Sequence, residues 1–183
     1  VEAVVERTKK LKVGNGLQPG IDIGPCVDEG QLKTVLHYIE EGRKQAGEPL
    51  CGGHRLTGGD YDKGYFVEPT VFAGVTQDMV IAREEIFGPV LAIMKADNFS
   101  HAMQIANASE FGLSASLQTS SLSRMYEFVY GIEAGLVTVN LPSAGVEYQL
   151  PFGGSKDSSF GPKEQGPAAI EFYSDFKTVY INY

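Results

Sequence analysis

The sequence predicts an α/β protein. Apolar runs at Val90–Met94, Leu113–Leu117 and Leu136–Val139 have the length of strands, the two stretches between them place apolar residues at helical spacing, and the links are short. Strand, helix, strand, helix, strand in that order requires right-handed crossovers and a parallel sheet with helices packed on it. At 183 residues the chain lies at the upper end of one domain and can bury a substantial core, so one domain with at most an appendage is expected.

In chain order, Val1, Val4, Val5 and Leu11 lie near helical spacing, and Gly14 and Gly16 stop the pattern. Nothing before Val1 supplies a capping side chain, so the chain is expected to begin inside an element of a longer protein. Pro19 to Pro25 reads as a connector. Asp28 with Gln31 three residues on forms a capping-box-like start for a helix whose Leu32, Val35, Leu36 and Ile39 share one face. The glycine-rich stretch from Gly47 to Lys63 reads as turns around a short strand near Leu50-Cys51, and Tyr65 to Phe72 as an edge strand or one broken at Pro69. After Val90–Met94, a helix carries Phe99, Ala102, Met103 and Ala106 behind an Asn98 or Ser100 cap. Another carries Leu122, Met125, Tyr126 and Val129 behind Ser121 or Ser123 and closes at Gly131. Pro167 to Tyr173 reads as a short helix. Thr178 to Tyr183 reads as a strand, to be paired either with a partner subunit's sheet edge or within the same chain.

Composition narrows the function. Hydrophobic residues are 43% and charged residues 21% of the chain, a globular balance, and no repeat or low-complexity tract interrupts it. A net charge of -8 without a basic run speaks against nucleic acid and anionic membrane surfaces. No apolar run approaches a membrane span, and Val1 to Glu6 is not a signal peptide, so a soluble, cytoplasmic protein is expected. Cys26 and Cys51 form no Cys-x-x-Cys or Cys/His cluster, which argues against a disulfide scaffold and a zinc site; both read as small buried hydrophobes. His37, His54 and His101 are scattered and have no triad context. Gly52-Gly53 and Gly153-Gly154 lack the pattern of a phosphate loop.

Chemistry concentrates at Glu84-Glu85-Ile86-Phe87-Gly88-Pro89-Val90. Here paired carboxylates run into an aromatic ring, a Gly-Pro turn and an apolar strand. Neighbours on an extended chain point to opposite sides, so the two acids are not a dyad. One of them, Glu85, can accept hydrogen bonds from two vicinal hydroxyls while Phe87 packs beside the attached ring; the other reading of the stretch is a solvated loop before a core strand. Asn140 ends a core strand, the edge at which α/β sheets gather ligand groups. The long loop that follows, with Tyr148 and Phe152, either walls an apolar pocket or covers the core.

Glu84-Glu85-Ile86-Phe87-Gly88-Pro89-Val90 resembles the cofactor-contacting motif of the aldehyde dehydrogenase superfamily. Gly64 to Thr70, Phe111 to Ala115, Gly135 to Asn140 and Pro151 to Gly154 are similar to that family too, in the same order along the chain. Val139 to Tyr148 and Ser158 to Gly166 are similar to its α-ketoglutaric semialdehyde (2,5-dioxopentanoate) dehydrogenase branch, with Ser159 and Pro162 departing from the general pattern toward it. The resemblance implies the three-layer, parallel-sheet catalytic domain of that family over residues 1–174 and an oligomerisation strand over 175–183. It implies NAD or NADP as cofactor, an aldehyde oxidised to its acid as reaction, and a homo-oligomeric enzyme with no nucleic-acid or membrane partner. It implies that Glu85 binds the nicotinamide-ribose hydroxyls, that Phe87 contacts the same end of the cofactor, and that Gln31 reaches it too. Asn140 would support the catalytic loop beside the substrate pocket, and Phe152 would line the aldehyde tunnel. Family members attack the aldehyde with a cysteine in a Gly-Gln-x-Cys setting, with an upstream asparagine and glutamate. These 183 residues contain none of those motifs, so the expectation is a C-terminal portion without the nucleophile, inactive alone.

Overall fold

The computed structural model describes residues 1–145 and 147–183, and its contacts divide them into two compact units, Val1–Lys95 and Ala96–Tyr183. Val146, within the stretch similar to the semialdehyde dehydrogenase branch, lies outside the described residues.

The first unit is built on helix α2. After α1 (Glu2–Thr8), α2 runs Glu29–Ala46, and its N-terminus forms as expected: the Asp28 carboxylate accepts from the Gln31 backbone N–H at 2.8 Å. The expected apolar stripe is the buried face, with Leu32, Val35 and Ile39 enclosed and Leu36 beside them. A 3-10 turn over Gly59–Lys63 leads to strand β1 (Thr70–Val75), a one-turn helix α3 (Val80–Arg83) and strand β2 (Val90–Met94). β1 and β2 pair in parallel from Thr70 opposite Val90, with an irregularity between Ala73 and Val75. The stretch Tyr65 to Phe72 takes the broken one of its two expected forms: Pro69 has no N–H to give a ladder, and regular pairing begins only after it. Upstream, only isolated bridges form, Cys26 with Tyr65 and Arg55 with Val67, and the short strand expected at Leu50-Cys51 is one bridge from Cys51 to Val71. Phe72 fills the space between sheet and helix. A Cβ on Gly42 of α2 would lie 2.7 Å from its ring, so glycine lets the two come together.

In the second unit, α4 (Phe99–Asn107) takes Asn98 as its cap, and α5 (Leu122–Gly131) takes Ser121. Strands β3 (Phe111–Gly112), β4 (Ser114–Leu117), β5 (Leu136–Val139) and β6 (Ser155–Lys156) complete it with a short helix α6 (Ala168–Phe172). β4 and β5 are parallel, Ser114 opposite Leu136 through Leu117 opposite Val139, joined through α5 as a βαβ crossover; β3 and β6 are antiparallel. The class is therefore α/β with parallel pairing, as expected.

One expectation of the sequence fails here, and another is narrowed. The stripe Leu122, Met125, Tyr126 and Val129 is not the inward face of α5: Leu122, Tyr126 and Val129 are exposed, and Phe128 is the enclosed residue. A helix against a two-stranded sheet covers only a narrow strip, and hydrophobic spacing over ten residues does not choose between neighbouring strips. The strand over Thr178 to Tyr183 does not form within this chain; residues 174–183 are exposed and outside any helix or strand. Strand-forming side chains set a preference, but a strand exists only when its N–H and C=O groups meet a partner. Pairing within the chain, one of the two possibilities open for it, is absent among the described residues. No helix is long and apolar enough to cross a membrane, and no cluster of metal-binding side chains occurs among the described residues.

Candidate functional site

The acidic motif crosses the open side of α2. Glu84 is in extended conformation, which sends the side chains of Glu84 and Glu85 to opposite sides. The Tyr38 hydroxyl donates to the Glu84 carboxylate at 2.7 Å, and that bond with partial burial pushes the Tyr38 phenol above its ordinary range. The phenol therefore stays protonated as a donor at neutral pH. Glu85 is exposed, and among the described residues its carboxylate has no hydrogen-bond or ion-pair partner. Ile86, next in the chain, is enclosed in the core and fixes the path of the loop. Phe87 then adopts a left-handed φ of 52° and exposes 79% of its surface. A bulky residue in that conformation costs about 1–3 kcal/mol and persists only where its surroundings impose it. Gly88 follows because a Cβ there would lie 2.4 Å from Val35 Cγ2.

Gln31 differs from expectation. The Asp28 cap bonds its backbone, but the side chain does not turn back to complete a capping box. Its Nε2 donates to the carbonyls of Ile86 at 3.0 Å and Phe87 at 2.8 Å. Both amide hydrogens are engaged, which leaves only Oε1 to address a ligand. Gln31, Glu85 and Phe87 are thus brought together, with Gln31 under the loop.

Asn140 and Phe152 belong to the second unit. Asn140 stands at the end of β5 with φ of 57°; its amide accepts from Thr119 N at 2.8 Å and donates to Thr119 O at 2.9 Å. That clasp continues the β4–β5 pairing past its end and ties the polar atoms of Asn140 to the scaffold, so its part is to hold the start of the loop. Half-buried Phe152 forms a backbone bridge with Glu164. Lys163, which the sequence did not single out, fastens the same loop by donating to the Gly135 carbonyl at 2.6 Å and the Gly153 carbonyl at 2.8 Å. A lysine near two turn glycines was the available signal.

The remaining candidates are weaker. Cys26 and Cys51 are half-buried rather than enclosed, and burial pushes the Cys26 thiol up, away from the thiolate that nucleophilic attack needs. A cavity of about 690 Å³ in the first unit is lined by Val13, Ile21, Tyr61 and Phe66 and includes none of the acidic motif. Its charged residues, Asp60 and Lys63, pair with each other at 2.7 Å. The acidic loop, though not the largest hollow, has the chemistry.

A free carboxylate beside an exposed ring, on a strained turn held by a neighbouring helix, marks this loop as a candidate functional site. Residues 1–179 match the model of the aldehyde dehydrogenase family, and the chain belongs to that family. It is 46% identical over 180 residues to the α-ketoglutaric semialdehyde dehydrogenase of Bacillus subtilis and 45% to the 2,5-dioxopentanoate dehydrogenase of Saccharolobus solfataricus, each match covering 98% of this chain and 37% of the relative. Betaine aldehyde dehydrogenase of Brucella anthropi is 42% identical over 183 residues, 99% of this chain and 37% of that protein. Among solved structures, Mycobacterium tuberculosis aldehyde dehydrogenase complexed with NAD+ matches at a TM-score of 0.86 and 38% identity over 93% of this chain and 34% of that one. The NAD+ complex of Bacillus cereus aldehyde dehydrogenase matches at 0.90 and 36%, over 99% and 36%. The chain spans about 37% of the length of the curated relatives it matches.

Proposed function

We propose that this chain is the C-terminal part of an NAD(P)-dependent aldehyde dehydrogenase that oxidises an aldehyde, α-ketoglutaric semialdehyde by preference, to its carboxylic acid. The observation that carries the reading is the unpartnered Glu85 carboxylate beside exposed Phe87. The residues present fit the cofactor: Glu85 accepts from the two vicinal hydroxyls of the nicotinamide ribose, and Phe87 offers a ring face to the nicotinamide end. When bound, NAD or NADP supplies the acceptor for the aldehyde's hydride. Asn140 holds the loop that runs toward Phe152, and Phe152 lines the aldehyde's path. Identity to the semialdehyde enzymes of Bacillus and Saccharolobus supports the substrate, and residues 1–174 form the catalytic portion.

The motifs of the reactive cysteine, its oxyanion donor and the deacylating glutamate are not among these 183 residues: neither Cys26 nor Cys51 stands in a Gly-Gln-x-Cys setting, and burial pushes the Cys26 thiol up. The purified chain is therefore expected to show no aldehyde-dependent NAD(P)H formation at 340 nm above a buffer control, because nucleophile, oxyanion donor and base act together. Turnover by the chain alone would overturn the assignment.

A second reading, a non-catalytic assembly module, has an observation of its own: residues 175–183 carry Phe176, Val179, Tyr180 and Ile181 exposed and unpaired in this chain. Here they form an oligomerisation strand for a neighbouring copy's sheet. Removing 177–183 is expected to lower the mass found by size-exclusion chromatography with light scattering. An unchanged mass on truncation removes this role.

A further inference from the structure

We propose that helix α2 is the positioning frame of the ribose-binding loop, with Gln31, Tyr38 and Gln45 as three fixings that leave Glu85 as the one carboxylate presented to ligand. The inference rests on the cofactor reading of Glu85 given above.

Gln31, Tyr38 and Gln45 recur every seven residues, which is close to two helical turns and puts all three on one slowly drifting stripe. That stripe borders the buried face of Leu32, Val35 and Ile39. The facing chain is met in reverse order. Gln45 Oε1 accepts from Val80 N at 2.8 Å at the start of α3, Tyr38 takes the Glu84 carboxylate at 2.7 Å, and Gln31 takes the carbonyls of Ile86 and Phe87. Val35 lies between Gln31 and Tyr38 and closes on Gly88.

Two of the fixings have separate consequences for the site. Tyr38 distinguishes the two acids: with Glu84 drawn to the helix, pleating of an extended chain sends Glu85 the other way, into solvent. Without the phenol, either acid could turn outward. Gln31 bonds the carbonyls before and after the Phe87 Cα, so it offsets the left-handed φ there and orients the ring. None of these three side chains has to touch a ligand; they determine where Glu85 and Phe87 are when one arrives. Adjacent acids in this motif are thereby one anchor and one ligand group, which explains why two are present without a dyad.

The test uses the 183-residue chain and the enzyme that carries it, with Gln31→Met, Tyr38→Phe and Glu84→Gln. Glu84→Gln keeps a side-chain oxygen to accept from Tyr38 and serves as the conservative variant. In the 15N-labelled chain, backbone order parameters at Glu85, Ile86 and Phe87 are expected to fall from about 0.85 toward 0.6 in Gln31→Met and Tyr38→Phe and to hold in Glu84→Gln. In the enzyme, the same two variants raise the cofactor KM roughly fivefold, the loss of one hydrogen bond's net contribution, with the aldehyde KM unchanged. If Gln31→Met lowers the melting temperature sharply, Tyr38→Phe, which removes one hydroxyl, decides alone. Unchanged order parameters together with an unchanged cofactor KM in Tyr38→Phe overturn the frame. The underlying reading fails separately: Glu85→Gln would then leave the cofactor KM unaltered while the loop still loosens in Tyr38→Phe.

Discussion

Replacing Glu85 by Gln in the enzyme that carries this chain lowers kcat/KM for the nicotinamide cofactor by roughly 10- to 150-fold, the loss of about 1.5–3 kcal/mol of hydrogen bonding to a charged acceptor. The effect is large because Glu85 has no other duty: its carboxylate makes no bond within the described chain, so its removal leaves the fold intact. Steady-state kinetics at saturating aldehyde, with a thermal melt as control, measure it. A loss in kcat/KM without a change in melting temperature is the expected signature. Retention of wild-type cofactor kinetics would contradict the assignment. Glu84→Gln makes the contrast, since its carboxylate already faces Tyr38 and a neutral oxygen there still accepts.

The second large effect is on stability. Phe72→Ala destabilises the first unit by about 3–5 kcal/mol, the usual cost of emptying an enclosed phenyl site. Phe72 is 1% exposed and lies against Gly42, where the helix backbone has no side chain to move into the space left behind. Partial relaxation by Val75 or Ile39 lowers the cost toward the bottom of that range. Urea unfolding followed by far-UV circular dichroism gives the number. A change under 1 kcal/mol would mean that the contact between β1 and α2 is not the centre of this core. Because α2 also underlies the acidic loop, this variant is expected to weaken the loop as well, whereas Glu85→Gln leaves the core untouched.

What the sequence made legible follows from the reach of its signals. Caps at Asp28, Asn98 and Ser121 were legible because a cap and the N–H it satisfies lie within three residues of each other. β5 was legible because Gly135 and Asn140 bracket four apolar or β-branched residues. Glu85 and Phe87 were singled out through the string that carries them, and the structure shows one free and the other exposed. Gln31 was named for a cofactor contact, and the sequence did not show its partners within the chain: the carbonyls of Ile86 and Phe87 are 55 and 56 residues away, and periodicity reports a face of a helix, never what crosses it. Gln31, Tyr38 and Gln45 stand seven residues apart along the edge of an apolar stripe, but that spacing does not say which segment they hold. The terminal strand shows the opposite limit. Val179 and Ile181 state a preference for extended chain, and only a partner's edge could turn that preference into a ladder.

The most direct test of the central claim is a binding comparison between the natural cofactor and an analogue lacking both nicotinamide-ribose hydroxyls, measured on the enzyme that carries this chain and on its Glu85→Gln variant. If Glu85 accepts from those hydroxyls, the wild-type enzyme prefers the natural cofactor by roughly tenfold or more, and the variant loses most of that preference. An equal preference in both proteins would show that the ribose is held elsewhere and that the free carboxylate of Glu85 has another purpose.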